Sequence, residues 1–343
     1  MKKIVSYILF FVILITSVVM ADRLLSENSE HGIKQARAMY KQKDDTIDLL
    51  FMGASHVHCG VNTAMLWEKY GISAFDYTAA EQTMWQSYYY LQEACKHQKP
   101  KVVVMDFYAP CAFTDDYQYD FLYENLQGLR FGKNKMGLFF ASMTPDRYDD
   151  YFPDFVSYHN RYEELTEDDF NKMIGNEDLE SFKGYAPHFR VNKQKPEDCD
   201  TDVVGKLPEK TEKYLEKIIN FCEKRDIKLY FMVVPYVVLE NEQENYNRVE
   251  EIAAQHEIDF RNFYYEMDEM GLNFDEHFHD HSHLNHYGSC IFTEYLGKIL
   301  YEKYGDILPD HRTDKRYDSW NRHVEDINNR VKKGLSGTVD LAS

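Results

Sequence analysis

Positive charge is scarce in this sequence. Against 58 aspartates and glutamates stand 39 lysines and arginines, a formal net charge of −19 at pH 7. A phosphate-binding surface needs clustered Lys and Arg, so nucleic acid is not an expected partner. The charge suits a solvated surface outside the cytoplasm. Cysteine is sparse too. Cys59, Cys95, Cys111, Cys199, Cys222 and Cys290 contain no Cys-x-x-Cys pair, which excludes a zinc ribbon or a thioredoxin motif, and their spacing predicts no particular disulfide. The Gly-x-Ser-x-Gly nucleophile elbow is missing: in Gly53-Ala54-Ser55-His56-Val57 the last place is Val. No His-Glu-x-x-His occurs, and no cofactor is expected.

What is present allows a folded core. The hydrophobic share of 44% excludes global disorder, and 343 residues suit one large domain or two small ones. Twenty-seven tyrosines fit either a sugar-binding groove or simply a Tyr-rich core and surface. After Met1-Lys2-Lys3 come about 18 mostly apolar residues, Ile4 to Ala21, enough to span a bilayer with the positive flank inside. An uncleaved anchor is the expectation for residues 1–24, with the rest extracytoplasmic. Val19-Met20-Ala21 also fits a signal-peptidase site, so cleavage stays as the alternative.

Residues 25–45 are polar and read as a stalk or a first helix. From 46 to 304 strands and helices alternate. Strands are expected at Asp48–Met52, Ile72–Tyr77, Lys101–Tyr108, Ile227–Val234 and Ile258–Phe263. Helices are expected at Thr63–Tyr70 (capped by Asn62 or Thr63), Trp85–His97, Lys210–Arg225, Gln243–His256 and Tyr287–Tyr304. This alternation predicts a parallel sheet covered on both faces. Residues 115–205 break the period and read as a mainly helical insertion, with a helix over Asp146–Leu165 interrupted at Pro153. His159, Arg161 and the polar cluster Lys183–Arg190 are its candidate substrate contacts, or else solvated or structural residues. Residues 305–343 form a charged tail, with Arg322–Lys333 as one more surface helix.

Leu49-Leu50-Phe51-Met52-Gly53-Ala54-Ser55 reads as a buried strand delivering a serine to the carboxyl edge of the sheet, where open α/β folds bind ligands. Gly and Ser are also ordinary turn residues. Far along the chain, Asp280-x-x-His283-Leu284-Asn285-x-x-Gly288 precedes the last helix of the domain. An early strand ending in Gly-x-Ser, joined to this late Asp-x-x-His string, resembles the SGNH/GDSL hydrolase family. The likeness is to the branch with the teichoic-acid D-alanine transfer protein and the membrane-anchored polysaccharide O-acetylation proteins, and it spans roughly residues 46 to 302.

The resemblance implies a flavodoxin-like three-layer α/β/α fold of about five parallel strands. It implies Ser55 as nucleophile, His283 as general base and Asp280 as its orienting acid. The substrate class it implies is an acyl ester, acetyl or D-alanyl, on a cell-envelope glycan or teichoic acid, with a membrane-bound O-acyltransferase as a partner. The family's oxyanion glycine and asparagine are absent here; the Ser55 amide, an amide near Ala80 and the Gln82 side chain are the substitutes. Two other readings remain open. His277, His279, His281 and His283 alternate, and with His56 and His58 suggest a metal-dependent hydrolase. The altered oxyanion blocks suggest a non-catalytic glycan-binding or scaffold protein on the same fold.

Overall fold

Five short strands account for the alternation. They are β1 (Leu49–Met52), β2 (Ala74–Asp76), β3 (Val102–Asp106), β4 (Lys228–Val233) and β5 (Asp259–Asn262). The computed structural model of the chain describes residues 2–113, 121–148 and 159–335. All four pairings are parallel and the order is β2-β1-β3-β4-β5, the flavodoxin-like order. The register aligns Leu49 with Ala74 and Val102, Val102 with Lys228, and Tyr230 with Asp259. β1 to β3 are buried at every position, so they read as apolar runs rather than as alternating strands.

The chain divides into two compact units, Glu30–Ser142 with Leu179–Ser343, and Met1–Ser29 with Met143–Asp178. The first holds the sheet. On one face Leu49, Phe51, Val102, Val104, Tyr230 and Met232 pack with Val57 of α3 (Ser55–Gly60), Leu66 of α4 (Thr63–Tyr70) and Phe292, Leu296 and Leu300 of a long late helix, His286–Tyr304. Strand alternation sends Leu50, Val103 and Phe231 the other way. The helices Met84–Ala94 (α5) and Glu209–Glu223 pack against each other, and the latter against β4. This is the expected three-layer α/β arrangement.

Local chemistry sets the boundaries. Asn62 caps α4, its side chain accepting from the amides of Ala64 and Met65 at 3.1 and 3.3 Å. β3 stops two residues before Tyr108 because the Asp106 carboxylate accepts the Tyr108 amide at 3.2 Å, turning the chain into a short helix, Tyr108–Ala112.

Of the two readings of residues 25–45, a first helix is found: Ile33–Met39 (α2) belongs to the sheet-bearing unit, with Ile33, Ala36, Ala38 and Met39 buried. The charged tail is largely built into the same unit. Its helix Asp318–Leu335 packs on α4; Trp320 is buried and donates to the Ala74 carbonyl at 3.2 Å, and His323 lies 2.9 Å from Thr63 Oγ1. The described part of the insertion comes in short helical pieces followed by irregular chain. Leu122–Gln127 and Lys133–Ser142 are helices, Pro145–Arg147 and His159–Glu163 are 3-10 turns, and no helix or strand lies between Leu179 and Leu207. Pro153 lies outside the described residues.

In the smaller unit the helix Lys2–Leu25 carries exposed apolar side chains. Residues Lys3–Leu25 are long and apolar enough to cross a membrane. A second helix, Glu167–Ile174, packs against it, started by a Thr166–Asp169 capping box and ended by Gly175 at φ 75°.

Candidate active site

The site starts at Gly53. Its φ of +152° is a conformation L side chains rarely adopt, and a Cβ there would stand 2.8 Å from Asp106 Cβ and 2.9 Å from Val57 Cγ2. Only glycine lets the end of β1 pass this close to the end of β3. That is the point where the strand order reverses, the binding crevice of doubly wound sheets. Ala54 is extended, and Ser55 is the first residue of α3.

The partner loop is held by its own motif. Phe278 and Leu284 form an isolated antiparallel bridge, and the His279 amide donates to the His283 carbonyl at 2.8 Å. Asp280 Oδ1 accepts the amides of Ser282 and His283 at 2.8 and 2.9 Å, which closes the turn. Each letter of the string behind it has a task. Leu284 enters the core. Asn285 caps the late helix by accepting the Gly288 amide at 3.0 Å, while its Nδ2 donates to the Glu276 carbonyl. At Gly288 a Cβ would lie 2.3 Å from the His277 carbonyl oxygen.

These two constructions bring Ser55, His283 and Asp280 into one line. Ser55 Oγ lies 2.7 Å from His283 Nε2, and His283 Nδ1 lies 2.9 and 3.0 Å from the two oxygens of Asp280. Burial alone would raise the Asp280 carboxyl. The hydrogen bond and charge of His283, with the Ser282 and His283 amides, outweigh it and hold the carboxyl well below the usual range.

Aromatic side chains surround this line. His56 is fully buried, stacked on Tyr108 with ring centroids 3.5 Å apart, edge-on to Tyr236 at 4.7 Å and to His283 at 5.5 Å. Burial holds it neutral, well below the ordinary histidine value. Tyr236 is fixed by Glu242 at 2.7 Å and Tyr246 at 2.6 Å. His188 stacks on His279 at 4.2 Å with its ring 6.0 Å from His283. A further chain runs from Thr78 Oγ1 to His58 Nδ1, 2.9 Å, and from His58 Nε2 to His31 Nδ1, 3.2 Å.

Two expected oxyanion donors are committed elsewhere. The Ala80 amide donates to the His31 carbonyl at 2.7 Å. The Gln82 side chain is buried and donates to Ser87 Oγ at 3.0 Å. The Ser55 amide, at the start of α3, has no backbone partner among the described residues. Beside Ala80, Glu81 sits at φ 44°, an uncommon conformation for a non-glycine residue.

Of the expected substrate contacts, His159 and Arg161 belong to the smaller unit. Arg161 donates to the Leu25 and Ser26 carbonyls at 2.8 and 2.6 Å and pairs with Asp169 at 3.2 Å, so its guanidinium closes a turn of that unit. His159 begins the same 3-10 turn; its side chain lies outside the described residues. The alternating histidines diverge. His277 Nδ1 accepts the Asn273 amide at 3.0 Å, His279 stacks on His188, and the His281 carbonyl accepts the Val237 amide. Among the described residues no group of three or more His, Cys, Asp or Glu is arranged to hold a metal ion. The six cysteines are all unpaired.

Sequence reasoning missed His31, Tyr108 and Tyr236 as neighbours of the line, and met His188 only within the polar cluster Lys183–Arg190. His31 sits between Glu30 and Gly32 with no periodic or motif context, and Tyr108 read as the end of a strand. A scan against protein-family models and a search of curated proteins returned no match for this chain.

Proposed function

We propose that this chain is a membrane-anchored, extracytoplasmic serine esterase or O-acyltransferase. Its substrates are acyl esters, acetyl or D-alanyl, of a cell-envelope glycan or teichoic acid, and a membrane-bound O-acyltransferase is the natural donor partner. The observation that carries the reading is the 2.7 Å contact between Ser55 Oγ and His283 Nε2 with Asp280 behind it. The apolar helix Lys3–Leu25 supports the anchor, and the resemblance of the two motifs supports the substrate class.

A free serine hydroxyl is a weak nucleophile. His283 takes its proton as Oγ attacks the acyl carbon, and the Asp280 carboxylate keeps Nδ1 as the donor side of the ring. The same proton then goes to the departing alcohol, leaving an acyl-Ser55 ester. A second hydroxyl, from water or from a sugar, gives its proton to His283, adds to the ester and displaces Ser55. The Ser55 amide is the donor for the oxyanion, strengthened by its place at a helix start.

The test is a fluorophosphonate probe on the full chain with chelator present, alongside turnover of an aryl acetate. Labelling of wild type and none of Ser55→Ala is expected. No labelling and no turnover, with tight binding of an envelope glycan, would replace this reading by a glycan-binding protein on the same fold. The committed Ala80 amide is the observation on that side. Turnover that chelator abolishes would favour the metal-dependent reading.

A further inference from the structure

In the smaller unit the short helix Glu167–Ile174 grips the end of the long apolar helix. A helix end leaves its last carbonyls without partners inside the helix. Here Arg161 donates to the Leu25 and Ser26 carbonyls at 2.8 and 2.6 Å, and Lys172 donates to the Ser26 carbonyl as well. The Asp169 carboxylate accepts from both cations, at 3.2 Å from Arg161 and 3.1 Å from Lys172. Asp169 and Lys172 are three residues apart, so they share one face of the helix, and both are buried. Beside that face runs a different strip. Phe170 and Ile174 are four residues apart, lie on one side, and are 49% and 68% exposed. Tyr162, in the same 3-10 turn as Arg161, is 62% exposed. Single exposed apolar side chains are ordinary, but three large ones gather here at one grip.

We propose that the helix Glu167–Ile174 is a second membrane contact, lying in the headgroup layer beside the end of the anchor with Phe170, Ile174 and Tyr162 in lipid. This rests on the membrane-anchor reading above. Length places the grip at that depth. The span Lys3–Leu25 has 23 residues. At 1.5 Å per residue it is about 35 Å long, against about 30 Å of hydrocarbon. Its end, where Arg161 and Lys172 hold the carbonyls, therefore reaches the layer where amphipathic helices bury an apolar strip and tyrosine is favoured. The exposed Arg23 in the last turn suits the same layer. The exposed neighbours Glu163, Glu164 and Glu167 are acidic, so anionic headgroups do not draw this helix in. Apolar burial does, and neutral phosphatidylcholine suffices. The grip gives the anchor a fixed partner at the bilayer surface in place of a free tether.

The test uses the full chain in phosphatidylcholine vesicles, with Phe170→Trp as the probe. The native Trp67, Trp85 and Trp320 are buried, so wild type supplies the background emission. Flotation with the vesicles reads the anchor, and quenching of the added emission reads the helix. Lipid brominated near the headgroup end of its chains is expected to quench that emission at least ~2-fold, as for a ring ~5–10 Å below the surface. Lipid brominated near the chain ends quenches less, and aqueous iodide hardly at all. Ile174→Trp repeats the measurement and behaves alike if both residues share the lipid-facing strip. Emission quenched by iodide and not by bromolipid, in vesicles that carry the chain, overturns the proposal while the anchor stands. Emission shielded from both quenchers means that protein covers the strip, a second copy or another chain, and overturns it too. A chain that does not float with the vesicles overturns the anchor reading, and this contact with it.

Discussion

Two imidazole chains leave helix α3, one from its first residue and one from its fourth, and they end differently. The chain from Ser55 passes through His283 to the Asp280 carboxylate, which accepts two backbone amides besides the ring. The chain through His58 ends at the Thr78 hydroxyl. A carboxylate behind an imidazole stabilises the cation that forms when the ring takes a proton. A hydroxyl behind an imidazole can only orient it. One fold thus supplies a histidine suited to carrying charge and another suited to staying neutral, through the group at the far end of each chain.

The strongest break of this comparison is on the charged chain. His283→Ala is expected to lower aryl acetate turnover by about 100- to 10,000-fold. His277→Ala, His279→Ala and His281→Ala should leave most of it, because none of these rings contacts Ser55. Asp280→Asn keeps a hydrogen-bond acceptor but removes the charge, and a loss of about 100-fold or more is expected. Circular dichroism checks that each variant is folded. Equal losses from His281→Ala and His283→Ala would remove His283 from its place.

The charged chain was legible in the sequence and the neutral one was not. Asp280 and His283 are three residues apart, so a single turn pairs them, and Leu284, Asn285 and Gly288 mark that turn by burial, capping and close approach. Ser55 was legible because a buried strand followed by Gly can only deliver its next residues to the sheet edge. The sheet itself followed from apolar runs between helices. His31 and His58 are 27 residues apart, and only the tertiary fold brings their rings together. His31 lies in a polar run before α2, where no periodic pattern points to that contact. The oxyanion expectation failed at Ala80 for a similar reason. Whether a backbone amide is free depends on its partner, here the His31 carbonyl, and no side-chain pattern records it.

A milder test works on the neutral chain. Thr78→Val keeps the shape at position 78 and removes the hydroxyl, leaving His58 Nδ1 buried without that partner. Acylation of Ser55 should stay within about 3-fold, while stability drops by about 1–3 kcal/mol. Stopped-flow bursts and urea unfolding measure the two. If Thr78→Val slows acylation as much as Asp280→Asn does, the two chains are one network and the contrast between their ends is wrong.

The smallest effect concerns the rings that flank His283 without contacting Ser55. His188 is 5% exposed and stacked on His279. Burial, then the His279, His283 and His31 charges, lower its pKa to about 3, with Asp280 pulling the other way. The sign follows from proton uptake. As pH falls below the ordinary value of 6.5, the unfolded chain protonates His188 and the folded chain does not, so stability is lost from there down to about pH 3. At pH 5 this amounts to ~2 kcal/mol at most. His188→Gln removes that uptake, so its melting temperature should fall less than the wild type's between pH 7 and pH 5. Asp76 and Asp106, raised by burial, act in the opposite direction but are shared by both proteins and cancel in the difference. Parallel falls in the two proteins would mean that His188 takes up a proton in the folded state near neutrality. The ring beside His283 would then be a second positive charge when the base is protonated, and the division into one charge-bearing and several neutral imidazoles would fail.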